Sequence, residues 1–427
     1  MHRRKILAGL GALPALSVPA LPTPAAAATR EASPATFAQV VEEMTGGGEL
    51  LLAGGDYGSV RLEGNWPAAT PLVIRSRDPA DPARLQELMI IYSRHVRLEQ
   101  LVFDYRFRAG DPRYHRPFQI RDSADIAIRG GLFDGDLAGP GAEVSEGFGT
   151  GFGLSIRAAN DIEVFGNEFR GFGRGLVVSQ SSGLVLRGND LHSLRMDGMN
   201  FAEVQNVVIE GNHIHDFARD VDGGDHADMI QFWTNGTTQP SRSVRIRGNL
   251  LNAGQGWYTQ SIFMRNDEVD TGKAGPEMFY RDIEISDNVI LNAHLHGITV
   301  GETRGLAITN NTVVRNARAE GRTDNPILWT PQIRIAPASR DVTVSRNVTS
   351  KVVGFEGQSD WWIEQNMFVQ DRFRMEPGFY GRVFVREVMT DPTRPEAFAP
   401  LPGGPLDGTG IGATWLEPGM TGPPRRL

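Results

Sequence analysis

The chain repeats one pattern of apolar and polar positions. Apolar residues alternate with polar ones, a turn residue and an Asn follow, and a second short alternation closes the unit. The copies read IEVFGNEF (162–169), LVLRGNDL (184–191), VVIEGNHI (207–214), VRIRGNLL (244–251), IEISDNVI (283–290), LAITNNTV (306–313), VTVSRNVT (342–349) and WWIEQNMF (361–368). Weaker copies precede them at 96–103 and 126–133. Strict alternation sends successive side chains to opposite faces and predicts strands, not helices. The repeated Asn falls at 167, 189, 212, 249, 288, 311, 347 and 366, so short spacings of 19 to 23 residues interleave with long ones of 36 to 39. A period near 22 residues corresponds to one coil of a β-solenoid. Asn at one turn position in every coil can stack into a hydrogen-bonded ladder.

A second short strand follows most Asn units, at 175–178, 198–201, 229–232, 261–264, 297–300 and 332–335. Leu176/Val178, Met199/Phe201, Ile230/Phe232, Ile262/Met264, Ile298/Val300 and Ile333/Ile335 are expected to point inward. Val177, Asn200, Gln231, Phe263, Thr299 and Arg334 then point out, with Trp233 and Arg265 two places further on. Arg174, Asp197, Asp228, Gln260 and His296 stand just before these strands. Three coils exceed the base period, and a coil lengthens only in its turns. The extra residues fall near 218–227, 253–259 with 265–278, and 318–330. Loops growing from adjacent coils can wall a groove, and binding residues concentrate on such loops.

Before the repeat, Pro34–Met44 carries apolar Phe37, Val40, Val41 and Met44 at helical spacing behind Ser33, which predicts a short helix. Glu49–Leu52 begins the first strand, and GGDYG (54–58) makes a tight turn. This combination resembles the right-handed parallel β-helix family of pectate lyases, alginate lyases, mannuronan epimerases, polygalacturonases and phage tailspikes, over roughly residues 35 to 380. The resemblance implies an all-β fold: a single right-handed parallel β-helix of about ten or more coils, with an N-terminal capping helix and long loops walling a groove. It does not fix a reaction.

Composition adds boundaries. Residues 1–28 combine a basic start (His2-Arg3-Arg4-Lys5), an apolar run and small residues at Ala25–Ala28, the pattern of an export signal. Arg3-Arg4 raises a twin-arginine route. A β-helix domain is expected over 35–385 and a Pro/Gly-rich cap or tail over 386–427. Loss of the signal takes the net charge from −8 to −11, and an acidic chain without a basic run argues against nucleic acid as partner. Nothing after residue 28 is long and apolar enough to span a bilayer. There is no Cys, so no disulfide. A periplasmic or secreted monomer acting on an acidic polysaccharide is the expectation.

Candidate chemistry concentrates in DVDGGDHADMIQFW (220–233). Asp220, Asp222 and Asp225, with glycines between them, are closely spaced oxygen donors and make a Ca2+ candidate. His226 near Asp228 is the base candidate, Arg265 a carboxylate-neutralising or acid candidate, and Lys273 the runner-up base. Asp197, Asn200, Gln231, Trp233, Gln260, His296 and Arg334 complete a polar strip for sugar binding. In the lyases that the chain resembles, Ca2+ or Asn, Gln and Arg neutralise the uronate carboxylate, and Lys, Arg, or His with Tyr move the protons. That resemblance implies β-elimination. Asp225-His226-Ala227-Asp228 also resembles in part the Asp-Pro-His-Glu/Asp motif of mannuronan C5-epimerases, although Ala227 breaks it and no proline precedes His226. Hydrolysis would need two carboxylates, for which Asp197, Asp225 and Asp228 are available. The Asn-Thr-Asp, paired Asp and Gly-His-Gly pattern of polygalacturonases is absent. A non-catalytic carbohydrate-binding solenoid, stacking sugars on Trp233, Trp257 and Tyr258, is the remaining alternative.

Overall fold

The computed structural model describes residues 28–319 and 329–417. Three parallel sheets of 13, 11 and 12 strands run the length of a right-handed β-helix. Each coil gives one strand to each sheet. Gln205–Glu210, His213–His215 and Asp228–Trp233, for example, belong to three different sheets and follow one another in the chain. Neighbouring coils pair in register, as in Val207↔Val244 and Ile209↔Ile246. The alternation of the repeat decides which face is buried. Val207, Ile209, Ile214, Ile230 and Phe232 are fully enclosed in a single core that runs from Ala32 to Trp361.

The Asn positions build a ladder. Nδ2 of Asn167, Asn189, Asn212, Asn249, Asn288, Asn311 and Asn347 each donates to Oδ1 of the next Asn, at 2.9 to 3.1 Å. Each also donates to a strand carbonyl, as Asn249 does to Ile209 O at 3.0 Å. The residue before each ladder Asn explains the Gly-Asn signature. From Gly166 to Gln365 it has a left-handed φ of +53° to +66°, which Gly adopts freely and Asn or Asp tolerate.

The helix spans Phe37–Glu43, later than the expected start, because Ser33–Thr36 forms a turn closed by Thr36 N donating to Ser33 O at 3.1 Å. Phe37, Val40 and Val41 pack on the first coils and cover the open end of the core. Such covering hides strand edges that would otherwise pair with other chains. At the other end, Tyr380, Val383, Phe384, Val388, Phe398, Leu406 and Leu416 form a second apolar cluster. It rests on Leu250, Val289, Leu291, Val314 and Val348, from consecutive coils of the 12-stranded sheet. The C-terminal segment is thus laid along the outside of the solenoid. Its Trp415 Nε1 donates to Asp287 O at 3.0 Å. The export signal expected at 1–28 and most of the enlarged turn expected at 318–330 lie outside the described residues. Among the described residues, no helix is long and apolar enough to cross a membrane.

Candidate active site

The strand Asp228–Trp233 lies between Met199–Ala202 and Gln260–Met264 in the 11-stranded sheet. Register aligns Val177, Asn200, Gln231, Phe263, Thr299 and Arg334 in one column. Glycines let the coils approach closely just upstream of it. A Cβ on Gly198 would sit 2.5 Å from Met229 O, and one on Gly175 2.5 Å from Gly198 O. Arg174 and Asp197, the residues before these glycines, are thereby stacked at the sheet edge beside Asp228.

Asp197 and Asp228 form a buried carboxylate pair, both with no exposed surface. Asp197 Oδ1 accepts from Asp228 N at 3.0 Å, and its Oδ2 accepts from Asn200 Nδ2 at 3.1 Å. Arg174 Nε lies 3.0 Å from the same Oδ2. Asn200 Nδ2 also reaches Gln231 Oε1 at 2.8 Å, and Gln231 Nε2 donates to Asp228 Oδ2 at 2.9 Å. Burial raises the Asp197 carboxyl above its ordinary range, against the pull of Arg174 and His226. Burial and then the charge of Asp197 push Asp228 further still, opposed by Arg174 and Arg219. Two like charges this deep do not ionise together, and Asp228 is the member driven towards the protonated form. Asp228 Oδ1, Asn200 Oδ1 and Gln260 Oε1 are buried acceptors without a hydrogen-bond partner. A proton on Asp228 brings a donor to a neighbourhood of unmatched acceptors.

His226 stands above this pair. Its side chain is 60% exposed, with Nε2 3.6 Å from Asp228 Oδ2 and 3.4 Å from Gln231 Nε2. It opens into a cleft of about 430 Å3 shared with Arg174, Gln231, Trp233, Asn235, Gln260, Phe263, Arg265 and Asp267. Arg265 reaches the cleft with its charge engaged by Asp270 at 3.0 Å and Asp267 at 3.2 Å. Arg174 lies over the rings of Tyr114 and Phe152, with its guanidinium 5.5 and 5.6 Å from the centroids. One wall therefore offers cations and aromatic surface together, which suits a sugar carrying a carboxylate.

The three acids proposed for Ca2+ are not gathered. Asp225 is held by Arg113 and, at 3.1 Å, by Arg195, while Arg219 donates to its backbone carbonyl at 2.8 Å. Asp220 binds Ser145 Oγ and accepts from Gly223 N at 2.8 Å. Asp222 does not join them in a group that could close on one ion. Arginines and a hydroxyl fill the role expected of the cation, pinning the enlarged turn from below.

Several other expected site residues have different surroundings. Asp197 and Asn200 are entirely buried and support Asp228 and Gln231 instead of lining the cleft, enclosed by their bonds to each other, to Gln231 and to Asp228 N. Lys273 is not among the residues that line the cleft; it is 62% exposed and lies 4.0 Å from Glu268. His296 lies against Phe263, bonded to Thr299 Oγ1 at 2.8 Å, and burial with nearby Arg334 lowers its pKa to about 4. Arg334 binds Gln332 Oε1 at 3.0 Å, further along the sheet. The column places both beyond Phe263, outside the lining of the cleft. Arg174, Asn235, Phe263 and Asp267 line the cleft without having been singled out as site residues. Arg174 was legible in principle, since it precedes its strand as Asp197 and Asp228 precede theirs. The Arg113, Arg195 and Arg219 cage had no signal, because Arg113 and Arg195 come from earlier coils and only Arg219 shares the turn with Asp225.

Residues 152–355 match the family model described as right handed beta helix region. No curated protein matches the chain. Solved structures similar to it include the Dettilon tailspike protein, with 11% identity, a TM-score of 0.48, and coverage of 78% of this chain and 66% of that one. A mannuronic acid specific polysaccharide family 6 lyase from human gut microbiota shows 11% identity, a TM-score of 0.41, and coverage of 80% and 85%. PfbA, a surface adhesin of Streptococcus pneumoniae, shows 11% identity, a TM-score of 0.41, and coverage of 77% and 86%. With its three parallel sheets and a family match that spans the coils carrying His226 and Asp228, the chain is a right-handed parallel β-helix protein.

Proposed function

We propose that the protein is an exported polysaccharide lyase that cleaves a uronate-containing polysaccharide by β-elimination. The observation that carries this reading is the exposed imidazole of His226, set in one cleft with Arg174 and Arg265 and backed by the buried Asp197–Asp228 pair. Elimination needs the charge of the uronate carboxylate offset, so that the neighbouring C–H becomes acidic. Arg174 and Arg265 take that role. His226 removes the proton alpha to the carboxylate, the electron pair forms the C=C bond, and the bond to the 4-linked oxygen breaks. The imidazolium then returns its proton to the leaving oxygen. Asp228 and Gln231 orient the imidazole, and Trp233 offers a sugar platform.

Hydrolysis is less well supported, because it needs two carboxylates facing the bond from opposite sides. Asp197 and Asp228 are enclosed and tied to each other through Asn200 and Gln231. With Asp225 caged by arginines, added Ca2+ is expected to leave the activity unchanged.

The test is incubation with alginate, pectate, polyglucuronate and hyaluronan while ultraviolet absorbance and reducing ends are followed. The reading expects both to rise together on one of these polymers. Reducing ends without absorbance would indicate hydrolysis. Exchange of the alpha hydrogen with solvent, without chain cleavage, would indicate epimerisation. Binding without any of these would leave an adhesin.

A further inference from the structure

A second cluster lies on the 12-stranded sheet, apart from the cleft. Strands Asp190–His192 and His213–His215 pair in register, Asp190 with His213 and His192 with His215. Leu191 and Ile214 point into the core, so all four polar side chains project outward from adjacent coils. His215 Nε2 lies 2.9 Å from Asp190 Oδ1, and His213 Nδ1 lies 3.7 Å from the same oxygen. The rings of His213 and His215 stack at 3.9 Å. One ligand atom from each of Asp190, His213 and His215 falls within 4.8 Å of the others.

We infer that Asp190, His213 and His215 form a binding site for a divalent transition cation of the zinc class. Two imidazoles and one carboxylate are a donor set that such ions take, with metal–ligand bonds of about 2.0–2.2 Å and ligand atoms roughly 3.3 Å apart. Small side-chain rotations close the observed spacing to that value. Two further observations point the same way. Asp216 Oδ2 lies 2.6 Å from His215 Nδ1 and fixes that ring with its other nitrogen towards Asp190, the carboxylate–histidine arrangement that orients metal ligands. His213 Nδ1, the nitrogen nearer Asp190, stops 3.7 Å from its oxygen, beyond hydrogen-bond distance, and the buried Nε2 across the ring has no hydrogen-bond partner either, so the protein alone does not satisfy that ring. On binding, the proton shared by His215 Nε2 and Asp190 is released to solvent and the metal takes its place.

The site sits where it can matter. His215 ends its strand, the 216–227 turn follows, and Asp228 begins the next strand of the same coil. A cation at Asp190, His213 and His215 therefore fastens the root of the turn that carries His226. This is a positioning role, and it stands independently of the reaction proposed for the cleft.

The experiment is calorimetric titration of the chelator-treated, dialysed full chain with Zn2+ alone, with thermal unfolding measured in parallel. One strong site per chain and a raised Tm are expected, with slower proteolysis of the 216–227 turn. His213→Ala and Asp190→Asn should each weaken Zn2+ binding by at least about tenfold, the loss seen even for outer partners of metal ligands. Asp190→Asn keeps the side-chain shape, so an unchanged circular dichroism spectrum separates a lost ligand from a lost fold. His226→Ala should bind Zn2+ as the parent does. Absence of binding in the parent, unaltered affinity in both ligand variants, or loss of binding only in His226→Ala would each overturn the assignment.

Discussion

Two polar stacks run through this solenoid, and they differ in one respect. The Asn ladder and the Asp197–Asp228 cluster are both buried, and both link successive coils through side-chain hydrogen bonds. In the ladder each amide donates forward and accepts from behind, so donors and acceptors balance along the row. In the cluster two carboxylates meet three amides, and Asp228 Oδ1, Asn200 Oδ1 and Gln260 Oε1 are left without partners. Buried polar groups are ordinarily satisfied, so an unmatched set beside a cleft marks the place where stability has been given up for something else. A row of one amide type holds coils together. A mixed, acid-rich row beside an exposed histidine is the arrangement on which the proposed elimination rests.

That contrast breaks in predictable ways. His226→Ala should lower kcat by about 100-fold or more, the usual worth of a positioned general base. Its urea midpoint should stay at the parent value, because the imidazole is exposed; a comparable fall in stability would remove His226 from the chemistry. Asn249→Ala should do the reverse. It leaves the buried Asn212 N without its acceptor and removes the side-chain bonds of Asn249 to Asn212 Nδ2, Asn288 Oδ1 and Ile209 O, costing on the order of 3 kcal/mol in urea unfolding. The molecules that remain folded should keep the parent kcat.

Asp228→Asn sharpens the comparison through pH. The folded-state pKa of Asp228 is raised, so its contribution to stability is present below the unfolded value near 3.8 and is lost as pH rises through the folded value. The amide carries no such penalty. The variant should therefore be more stable than the parent at pH 7, on the order of 1 kcal/mol, with the difference vanishing below about pH 4. Its activity should fall, since His226 loses the acid behind it. The smallest effect is expected of Lys273→Ala, whose side chain is exposed and does not line the cleft. Both kcat and Tm should match the parent, and a large loss of kcat would move the base away from His226.

Much of this was legible in the sequence, for a physical reason. Alternation at period 2 fixes which side chains are inside, and a repeated turn needs the same left-handed residue and the same amide in every coil. Gly166-Asn167, Gly188-Asn189 and Gly211-Asn212 thus announce the coil, its register and the ladder. The column of Asn200, Gln231 and Phe263 follows from the same rule. The density of acids at 220–228 also singled out the turn that holds His226.

The tertiary structure alone decided what those acids touch. Asp225 has sequence neighbours that suit a cation, yet Arg113 and Arg195 reach it across long stretches of chain and neutralise it. Asp197 was expected in the polar strip but is buried, enclosed by Arg174, Asn200 and Asp228, which come from three successive coils. The Pro- and Gly-rich segment 386–427 reads as a cap or tail, and only the structure shows that its scattered Phe398, Leu406 and Leu416, with Phe384 just before it, find an apolar face on the outside of the coils. Local pattern sets strand, register and face, since these depend on near neighbours in the repeat. Burial and charge pairing depend on which irregular loop lies over which coil, and no period in the sequence encodes that.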